Sequence, residues 1–274
     1  MSNAARLRGE IRLLIFDFDH TALGGHVPYD RFPKPFVLFL DRLSARGIRW
    51  ATNTTWAPES QLNVIRQSGV KSDPAFLGGM TGRGLATVRR GKLIWDKAHQ
   101  RDMARLDRRF DAENSARIRR AMAALLKANL VRQLSWNDYQ QNQIAFTVRP
   151  GCVQRAWRVL APLLRADRFY VWDPRKRSAN MLLPFFMNKA QIIRTMQRRL
   201  GIGPANTIVA GDGINDRHMF DPSIARKMVC PANAQPQIKR LVRRHGGIVA
   251  NRTFSWGVME GVREVISERG RTTQ

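Results

Sequence analysis

The feature that most constrains the fold is a pair of short apolar runs, each ending at a polar residue and followed by a helical pattern. The first run, Ile11–Phe16, is bounded by charge and ends at Asp17, which is typical of a buried strand. The second run, Ile48–Ala51, ends at Thr52. The helical pattern after each run closes at a glycine. This order of strand, helix, strand and helix predicts the start of a parallel α/β fold.

The α/β pattern stops near residue 79, where GGMTG at 78–82 is typical of a loop. It resumes after Asn188 with a helical pattern and a further buried run that leads into Asp212. The intervening segment carries a hairpin pattern around Gly91, a long charged helical pattern and further short strand patterns. We therefore predict an α/β, Rossmann-like core with a parallel sheet, formed by residues 1–79 and 186–274. An α+β cap domain is predicted at 80–185. With 274 residues, the chain is long enough for two domains.

Polar side chains stand where the predicted strands end. The functional groups of a parallel α/β sheet gather beyond the carboxyl ends of its strands. Three distant stretches of this chain contribute to that edge, with the residues Asp17, Asp19, Thr52, Lys189, Asp212 and Asp216. The sequence therefore predicts one site that combines four carboxylates, one hydroxyl and one ammonium.

This mixture suits phosphoryl transfer. A carboxylate such as Asp17 is ionised at neutral pH and can attack phosphorus to form an acyl phosphate. Asp19, two residues further on, can protonate the leaving oxygen and later deprotonate water. Thr52 and Lys189 can bind the remaining phosphoryl oxygens. Since carboxylate and phosphate repel each other, a hard cation between them is expected, and Mg²⁺ prefers oxygen ligands.

Four motifs in order resemble those of the haloacid dehalogenase (HAD) hydrolases. DFDHT at 17–21 matches the family's DxDxT signature, and WAT at 50–52 resembles its second motif, a strand ending in Thr or Ser. NKA at 188–190 resembles the third motif, and GDGIND at 211–216 matches the fourth as GDGxND. The resemblance covers nearly the whole chain. It is greatest to the Cof-type and sucrose-phosphatase-like branch, whose large cap lies between the second and third motifs.

The resemblance implies a role for each matched residue. Asp17 is expected to be the nucleophile and Asp19 the acid and base, with Thr52 and Lys189 holding the phosphoryl group. Magnesium is expected on Asp17, on the main-chain carbonyl of Asp19 and on Asp212. Two further residues of the fourth motif are expected to support the metal site and orient Lys189, namely Asn215 and Asp216.

The positive charge admits two interpretations. The chain carries 47 Lys and Arg against 21 Asp and Glu, a formal net charge of +26. Clustered Arg can neutralise a polyanionic partner such as nucleic acid. However, the basic residues do not form one tract, so the alternative is an arginine-rich, solvated surface. The segment 80–185, with 22 basic and 8 acidic residues, is the more basic part.

Other sequence features concern the compartment. No apolar run approaches the ~20 residues that span a bilayer, and the first residues lack the pattern of a secretory signal. Cys152 and Cys230 have neither metal nor redox spacing, so reduced thiols are expected. These features predict a cytoplasmic protein that does not bind membranes.

The sequence thus predicts a Mg²⁺-dependent phosphatase that hydrolyses a small phosphorylated metabolite, with a sugar phosphate favoured because a large cap excludes macromolecules. Three alternatives stay open. The substrate could be another phosphate ester, such as a nucleotide or a phosphoglycerate. The acyl phosphate could be passed to an acceptor other than water. Finally, the chain could be a basic nucleic-acid-binding protein on a hydrolase fold, which the intact set of acid, base and metal ligands argues against.

Overall fold

The computed structural model describes residues 10–136, 142–165 and 168–271, the last range with side chains up to 267. It contains two compact units. The first is formed by the described residues up to 100 and from 188 onwards, and the second by the described residues between 101 and 187. The long helix α3, Lys97–Lys127, has its first turn in the first unit.

The first unit contains an eight-stranded sheet in the order β12-β11-β10-β1-β2-β3-β4-β5. Neighbouring strands are parallel from β12 to β3, and β4 and β5 complete the sheet in antiparallel pairing. The strands are β1 Leu13–Phe16, β2 Arg49–Asn53, β3 Phe76–Gly79, β4 Gly84–Arg89, β5 Lys92–Trp95, β10 Thr207–Ala210, β11 Lys227–Cys230 and β12 Ile248–Val249. The predicted α/β class with a mainly parallel sheet is confirmed.

Helices pack on both faces of this sheet. They are α1 Lys34–Ala45, α2 Pro58–Gln67, α5 Lys189–Leu200, α6 Pro236–Arg244 and α7 Phe254–Arg271. Because successive side chains of a strand point to opposite faces, Phe16 of β1 joins the core that contains Phe36 of α1. Ile15 joins the opposite core with Met196 of α5. Burial of β1 on both faces explains its uninterrupted apolar run.

The second unit has its own antiparallel sheet, in the order β6-β7-β9-β8. Its elements, besides α3 Lys97–Lys127, are β6 Val131–Trp136, β7 Ile144–Val148, α4 Val153–Leu160, β8 Phe169–Val171 and β9 Ala179–Pro184. Phe110 of α3 packs edge-on against Phe169 and Phe186, with ring centroids 5.0 and 5.7 Å apart. This separate core is what makes the segment a unit of its own.

Two structural details differ from the sequence-based expectations. The hairpin β4–β5, expected in the insert, extends the sheet of the first unit, because β4 pairs with β3. The first compact unit runs to residue 100. The segment that begins at Gly78, expected to be a loop, starts within β3. A Cβ on Gly78 would lie 2.6 Å from Met196 Cε, so glycine here serves close packing inside a strand.

Two remaining expectations concern thiols and membranes. Cys152 and Cys230 both carry free thiols, as expected. Among the described residues, no helix combines the length and hydropathy that a bilayer span requires.

Candidate active site

Strand register brings the predicted site residues to one edge of the sheet. Phe16, the last residue of β1, lies opposite Ala210 of β10 on one side and Thr52 of β2 on the other. The backbone N–H of Asp17 then donates to the carbonyl of Ala210 at 3.0 Å. The loops after β1 and β10 therefore leave the sheet side by side, and the end of β2 lies next to them.

Lys189 lies at the centre of this edge. Its Nζ is 2.8 Å from Asp17 Oδ1 and 2.5 Å from Asp216 Oδ1. The Lys189 side chain is fully buried and those of both partners are nearly so. The helix that carries it is capped by Asn188, whose Oδ1 accepts from the backbone N–H of Gln191 at 3.0 Å, so the lysine starts from a defined helix end. A buried ammonium between two carboxylates is the paired arrangement that burial of a charge requires.

The second carboxylate oxygen of Asp216 organises the loop after β10. It accepts the backbone N–H groups of Asp212 and Gly213, both at 3.0 Å. A Cβ on Gly211 would lie 2.6 Å from the same oxygen, so only glycine allows the loop to wrap this closely. Asn215 lies in the same loop and is half-exposed. Asp216 thus contacts Lys189 and the loop that carries Asp212.

Three carboxylates form a candidate metal site. Asp17, Asp212 and Asp216 each offer a ligand oxygen, and these oxygens all lie within 4.8 Å of one another. Asp212 Oδ1 also accepts the hydroxyl of Thr21 at 2.8 Å, which fixes the carboxylate. A compact set of oxygen ligands can hold a hard divalent cation.

The ionisation of these groups reflects their crowding. Burial and the charge of Asp216 raise the pKa of Asp17 to about 7, although Lys189 and the backbone N–H of Phe18 oppose the rise. Burial and the charges of Asp216 and Asp17 raise the pKa of Asp212 to about 8. Burial acts to lower the pKa of Lys189, but the charges of Asp17 and Asp216 outweigh it and raise that pKa. A further cation bound next to these carboxylates would therefore offset the repulsion between them.

Thr52 is fully buried, and its hydroxyl donates to Oε1 of Gln61 at 2.5 Å. Gln61 in turn donates from Nε2 to the carbonyls of Trp56, at 2.9 Å, and Gly78, at 3.0 Å. These two carbonyls fix the orientation of the Gln61 amide. Next to Thr52, Asn53 donates from Nδ2 to the carbonyl of Lys189 at 2.9 Å. The end of β2 is therefore tied to the start of α5.

The Asp19 carboxylate has partners of its own. Its Oδ1 accepts the hydroxyl of Tyr29 at 2.9 Å, and its Oδ2 accepts the indole N–H of Trp56 at 2.7 Å. Partial burial and the bond to Asp19 raise the pKa of Tyr29 to about 12, so this hydroxyl stays a donor at neutral pH. No spacing rule pointed to Tyr29, Trp56 or Gln61, because each acts through a tertiary contact from a loop or a helix.

His20 is the fourth residue of the first motif. Its φ of 57° lies in the left-handed region, and its carbonyl accepts from Asn233 Nδ2 at 2.7 Å. Its ring lies 6.4 Å from that of Phe254, centroid to centroid. These contacts connect the loop after Asp19 to Asn233, in the loop after β11, and to the start of α7.

Several solved structures have a similar fold, and three of them are hydrolases. A sucrose-phosphatase from Synechocystis sp. PCC6803, solved in complex with sucrose and phosphate, is 19% identical with a TM-score of 0.62, over 93% of this chain and 98% of that one. The haloacid dehalogenase-like hydrolase yhjK from Bacillus subtilis is 13% identical with a TM-score of 0.62, over 94% and 93%. A HAD-superfamily phosphatase from Bacteroides thetaiotaomicron is 16% identical with a TM-score of 0.62, over 94% and 96%.

At these identities the structural likeness shows the fold. No curated protein sequence matches the chain. The chain shares this fold with hydrolases of the HAD superfamily. The sequence model of the sucrose-6F-phosphate phosphohydrolase family matches residues 11–264, and the chain therefore belongs to that family. It is a phosphatase.

Proposed function

We propose that this phosphatase is Mg²⁺-dependent and hydrolyses a small sugar phosphate through an aspartyl phosphate on Asp17. The observation that carries the proposal is the placement of Asp17. It follows β1 directly, its carboxylate is 2.8 Å from the ammonium of Lys189, and it shares the acidic cluster with Asp212. This arrangement gives a nucleophile, a counter-charge for phosphate and a cation site within a few ångströms.

The donor set fits Mg²⁺. All three candidate side chains are carboxylates. Burial and the charges of neighbouring carboxylates raise the pKa values of Asp17 and Asp212, and a divalent cation would offset both effects. We propose Asp17, the main-chain carbonyl of Asp19, and Asp212 as the ligands. Both carboxylate oxygens of Asp216 are engaged by other groups, so it supports the site. A bound Mg²⁺ would supply positive charge between the carboxylates and the phosphoryl oxygens.

The first chemical step transfers the phosphoryl group to the protein. A carboxylate oxygen of Asp17 attacks phosphorus, and the bond between phosphorus and the ester oxygen breaks. Asp19 gives its proton to that oxygen, which leaves as an alcohol. Lys189 and Thr52 hold the phosphoryl oxygens during transfer. The hydroxyl of Thr52 must turn away from Gln61 to do so.

The second step restores the protein. Asp19, now ionised, takes a proton from water as the water oxygen attacks the phosphorus of the acyl phosphate. The bond between phosphorus and the Asp17 oxygen breaks, which releases inorganic phosphate and the free carboxylate. Asp216 keeps Lys189 in place throughout, and Asn215 is proposed to support the same loop.

The substrate class rests on the family. The chain belongs to the sucrose-6F-phosphate phosphohydrolase family, and one protein of similar fold was solved with sucrose and phosphate. We assign the cap role to the inserted segment, which the sequence placed at 80–185 and whose compact unit is 101–187. A sugar phosphate is accordingly the first candidate, ahead of nucleotides and phosphoglycerates.

Phosphate release from a panel of esters tests the proposal. The panel contains sucrose 6-phosphate, other sugar phosphates, nucleotides and a phosphoglycerate, each with and without Mg²⁺. Asp17→Asn keeps the size of the side chain and removes the nucleophile, and Asp111→Asn makes the same change at an exposed position. We expect Mg²⁺-dependent turnover that Asp17→Asn abolishes and Asp111→Asn retains.

Other outcomes would replace the proposal. Preference for a nucleotide or a phosphoglycerate would overturn the sugar-phosphate assignment and keep the phosphatase. A new phosphate ester formed when an alcohol acceptor is added would identify a phosphotransferase. Absence of turnover, together with salt-dependent retention on RNA or DNA, would turn attention to the basic surface.

A further inference from the structure

Asp19 is held by two side chains that no motif contains. Tyr29 comes from the loop after β1, and Trp56 from the loop after β2. Each donates to a different oxygen of the carboxylate, at 2.9 and 2.7 Å. Both distances are those of good hydrogen bonds. Two donors on two oxygens define the plane of a carboxylate, whereas one donor would leave it free to rotate.

The Trp56 donor is itself fixed. Its ring lies against that of Phe18, with centroids 5.9 Å apart. Its carbonyl accepts from Gln61 Nε2 at 2.9 Å and from the backbone N–H of Met80 at 3.3 Å. Gln61 also accepts the Thr52 hydroxyl. The orientation of Asp19 is thus connected, through Trp56 and Gln61, to the hydroxyl proposed to bind phosphate.

The arrangement leaves Asp19 usable. A carboxylate offers about four lone-pair sites, and the two bonds occupy two of them. The Asp19 side chain is half-buried, and Tyr29 is 42% exposed. Lone pairs therefore remain for the ester oxygen or for water. Proton transfer needs the donor within hydrogen-bond reach of the reacting oxygen, and a displacement of about 1 Å can cost about 10²-fold in rate.

We infer that Tyr29 and Trp56 are positioning residues that hold the Asp19 carboxylate in the orientation from which it exchanges a proton with the leaving oxygen. The inference rests on the proposed role of Asp19 as acid and base. Neither residue transfers a proton to the substrate. Their effect is exerted through Asp19 alone.

The dependence of the rate on the leaving group tests this role. The quotient kcat/KM covers the steps up to departure of the alcohol, so hydrolysis of the acyl phosphate does not enter it. An alkyl alkoxide needs the proton of Asp19 in order to leave, whereas p-nitrophenolate, a weak base, does not. Two substrates are therefore compared, p-nitrophenyl phosphate and the sugar phosphate of the panel with the highest kcat/KM.

The variants remove the donors and keep an aromatic side chain at each position. They are Tyr29→Phe, Trp56→Phe and the double variant. Trp95→Phe is the matched control, because its indole N–H also donates to a carboxylate, that of Glu59 at 3.1 Å, away from the site. We expect the double variant to lose about 10-fold in kcat/KM for the sugar phosphate, a part of the 10²–10⁴ that general acid catalysis contributes. For p-nitrophenyl phosphate we expect a loss of less than about 2-fold.

Asp19→Asn provides the second test. If both residues act through Asp19, adding Tyr29→Phe and Trp56→Phe to Asp19→Asn causes no further change in kcat/KM for the sugar phosphate or for p-nitrophenyl phosphate. Thermal unfolding of each variant, with and without Mg²⁺, checks that fold and cation binding are retained. Equal losses for the two substrates, or no loss for either, would overturn the inference. So would additive losses in the Asp19→Asn background.

Failure of this inference is distinct from failure of the proposed function. If wild-type protein shows no Mg²⁺-dependent turnover of either substrate, the proposed function is wrong. If turnover is present and lost in Asp17→Asn, but the ratio of the two kcat/KM values does not change in the double variant, only the positioning role is wrong.

Discussion

Replacing Lys189 by methionine removes the ammonium that lies between two buried carboxylates, those of Asp17 and Asp216. Methionine has about the same length and is apolar, so the substitution preserves packing and deletes the ammonium. In the metal-free protein, Asp17 and Asp216 would then face each other without the cation that lies 2.8 and 2.5 Å from them. Removing one partner of a buried ion pair leaves an uncompensated buried charge.

The structure indicates how large the effect should be. All three side chains are at most 5% exposed, so solvent screening is small. Breaking such a pair typically costs about 3–5 kcal/mol of unfolding free energy. Asp17 already has a raised pKa of about 7, and loss of the ammonium raises it further. Below that value the carboxylate can take up a proton, which removes one of the two charges.

The sign of the pH dependence follows from linkage. A carboxyl whose folded pKa is raised above the unfolded value stabilises the fold at low pH, and this contribution is lost as pH rises through the folded pKa. The destabilisation by Lys189→Met should therefore be greater at pH 8 than at pH 5.5. The expected difference is at least about 1 kcal/mol, since one pKa unit corresponds to about 1.4 kcal/mol.

Urea unfolding in EDTA at both pH values measures the effect. The matched control is Lys34→Met, because Lys34 is also the first residue of a 12-residue helix and is exposed. We expect the control to change the unfolding free energy by less than about 0.5 kcal/mol. A loss below about 1 kcal/mol for Lys189→Met, or an equal loss at both pH values, would refute the reasoning.

Three further predictions concern the same site. Mg²⁺ should raise the melting temperature more at pH 8 than at pH 5.5, because protons compete with the cation for Asp17 and Asp212, whose pKa values are raised to about 7 and about 8. Thermal unfolding at increasing Mg²⁺ concentration measures this difference. Thr21→Val removes the 2.8 Å bond to Asp212 and should weaken Mg²⁺ binding about 10- to 100-fold in calorimetry. Gly211→Ala sets a Cβ 2.6 Å from the Asp216 carboxylate and should cost about 1–3 kcal/mol in urea unfolding.

Each of these predictions has a control and a contradicting result. A shift by Mg²⁺ that is equal at both pH values would show that the carboxylates do not bind it. Thr147→Val removes an exposed hydroxyl bond to Gln133, and Mg²⁺ binding should not change; equal weakening in Thr21→Val and Thr147→Val would contradict the role of Thr21. Gly203→Ala places a Cβ in open space, so a loss as large as that of Gly211→Ala would contradict the steric argument.

The order of strand and helix patterns along the sequence was enough to predict the class of fold and the edge of the sheet at which the site lies. In a parallel α/β sheet the strands run the same way, so polar residues at the ends of β1, β2 and β10 must emerge at one edge. Asp17, Thr52 and Asp212 could be named on that basis, without knowledge of any contact. The insert was visible because the α/β pattern stopped and resumed.

The fold of the hairpin and of β3 depended on tertiary pairing. The pattern of β4 and β5 predicts two strands, but only the ladder between Gly78 and Leu85 shows which sheet they join. From the sequence alone, without tertiary contacts, the pair Gly78-Gly79 predicts a loop. In the folded chain, Met196 packs against Gly78 closely enough to exclude a side chain, so glycine is compatible with a strand there.

Sequence by itself determined the chemical groups of the site, because catalytic motifs occupy strand ends and strand ends can be recognised from apolar runs. Only the tertiary structure decided which of those groups form ion pairs and which are oriented by hydrogen bonds from other residues. Lys189 is 172 positions from Asp17 in the chain, and its ammonium lies 2.8 Å from the Asp17 carboxylate. Asp19 receives hydrogen bonds from donors on two separate loops. Such contacts depend on how loops close over a sheet edge, and side-chain hydrogen bonds between distant loops leave no periodic signal in a sequence.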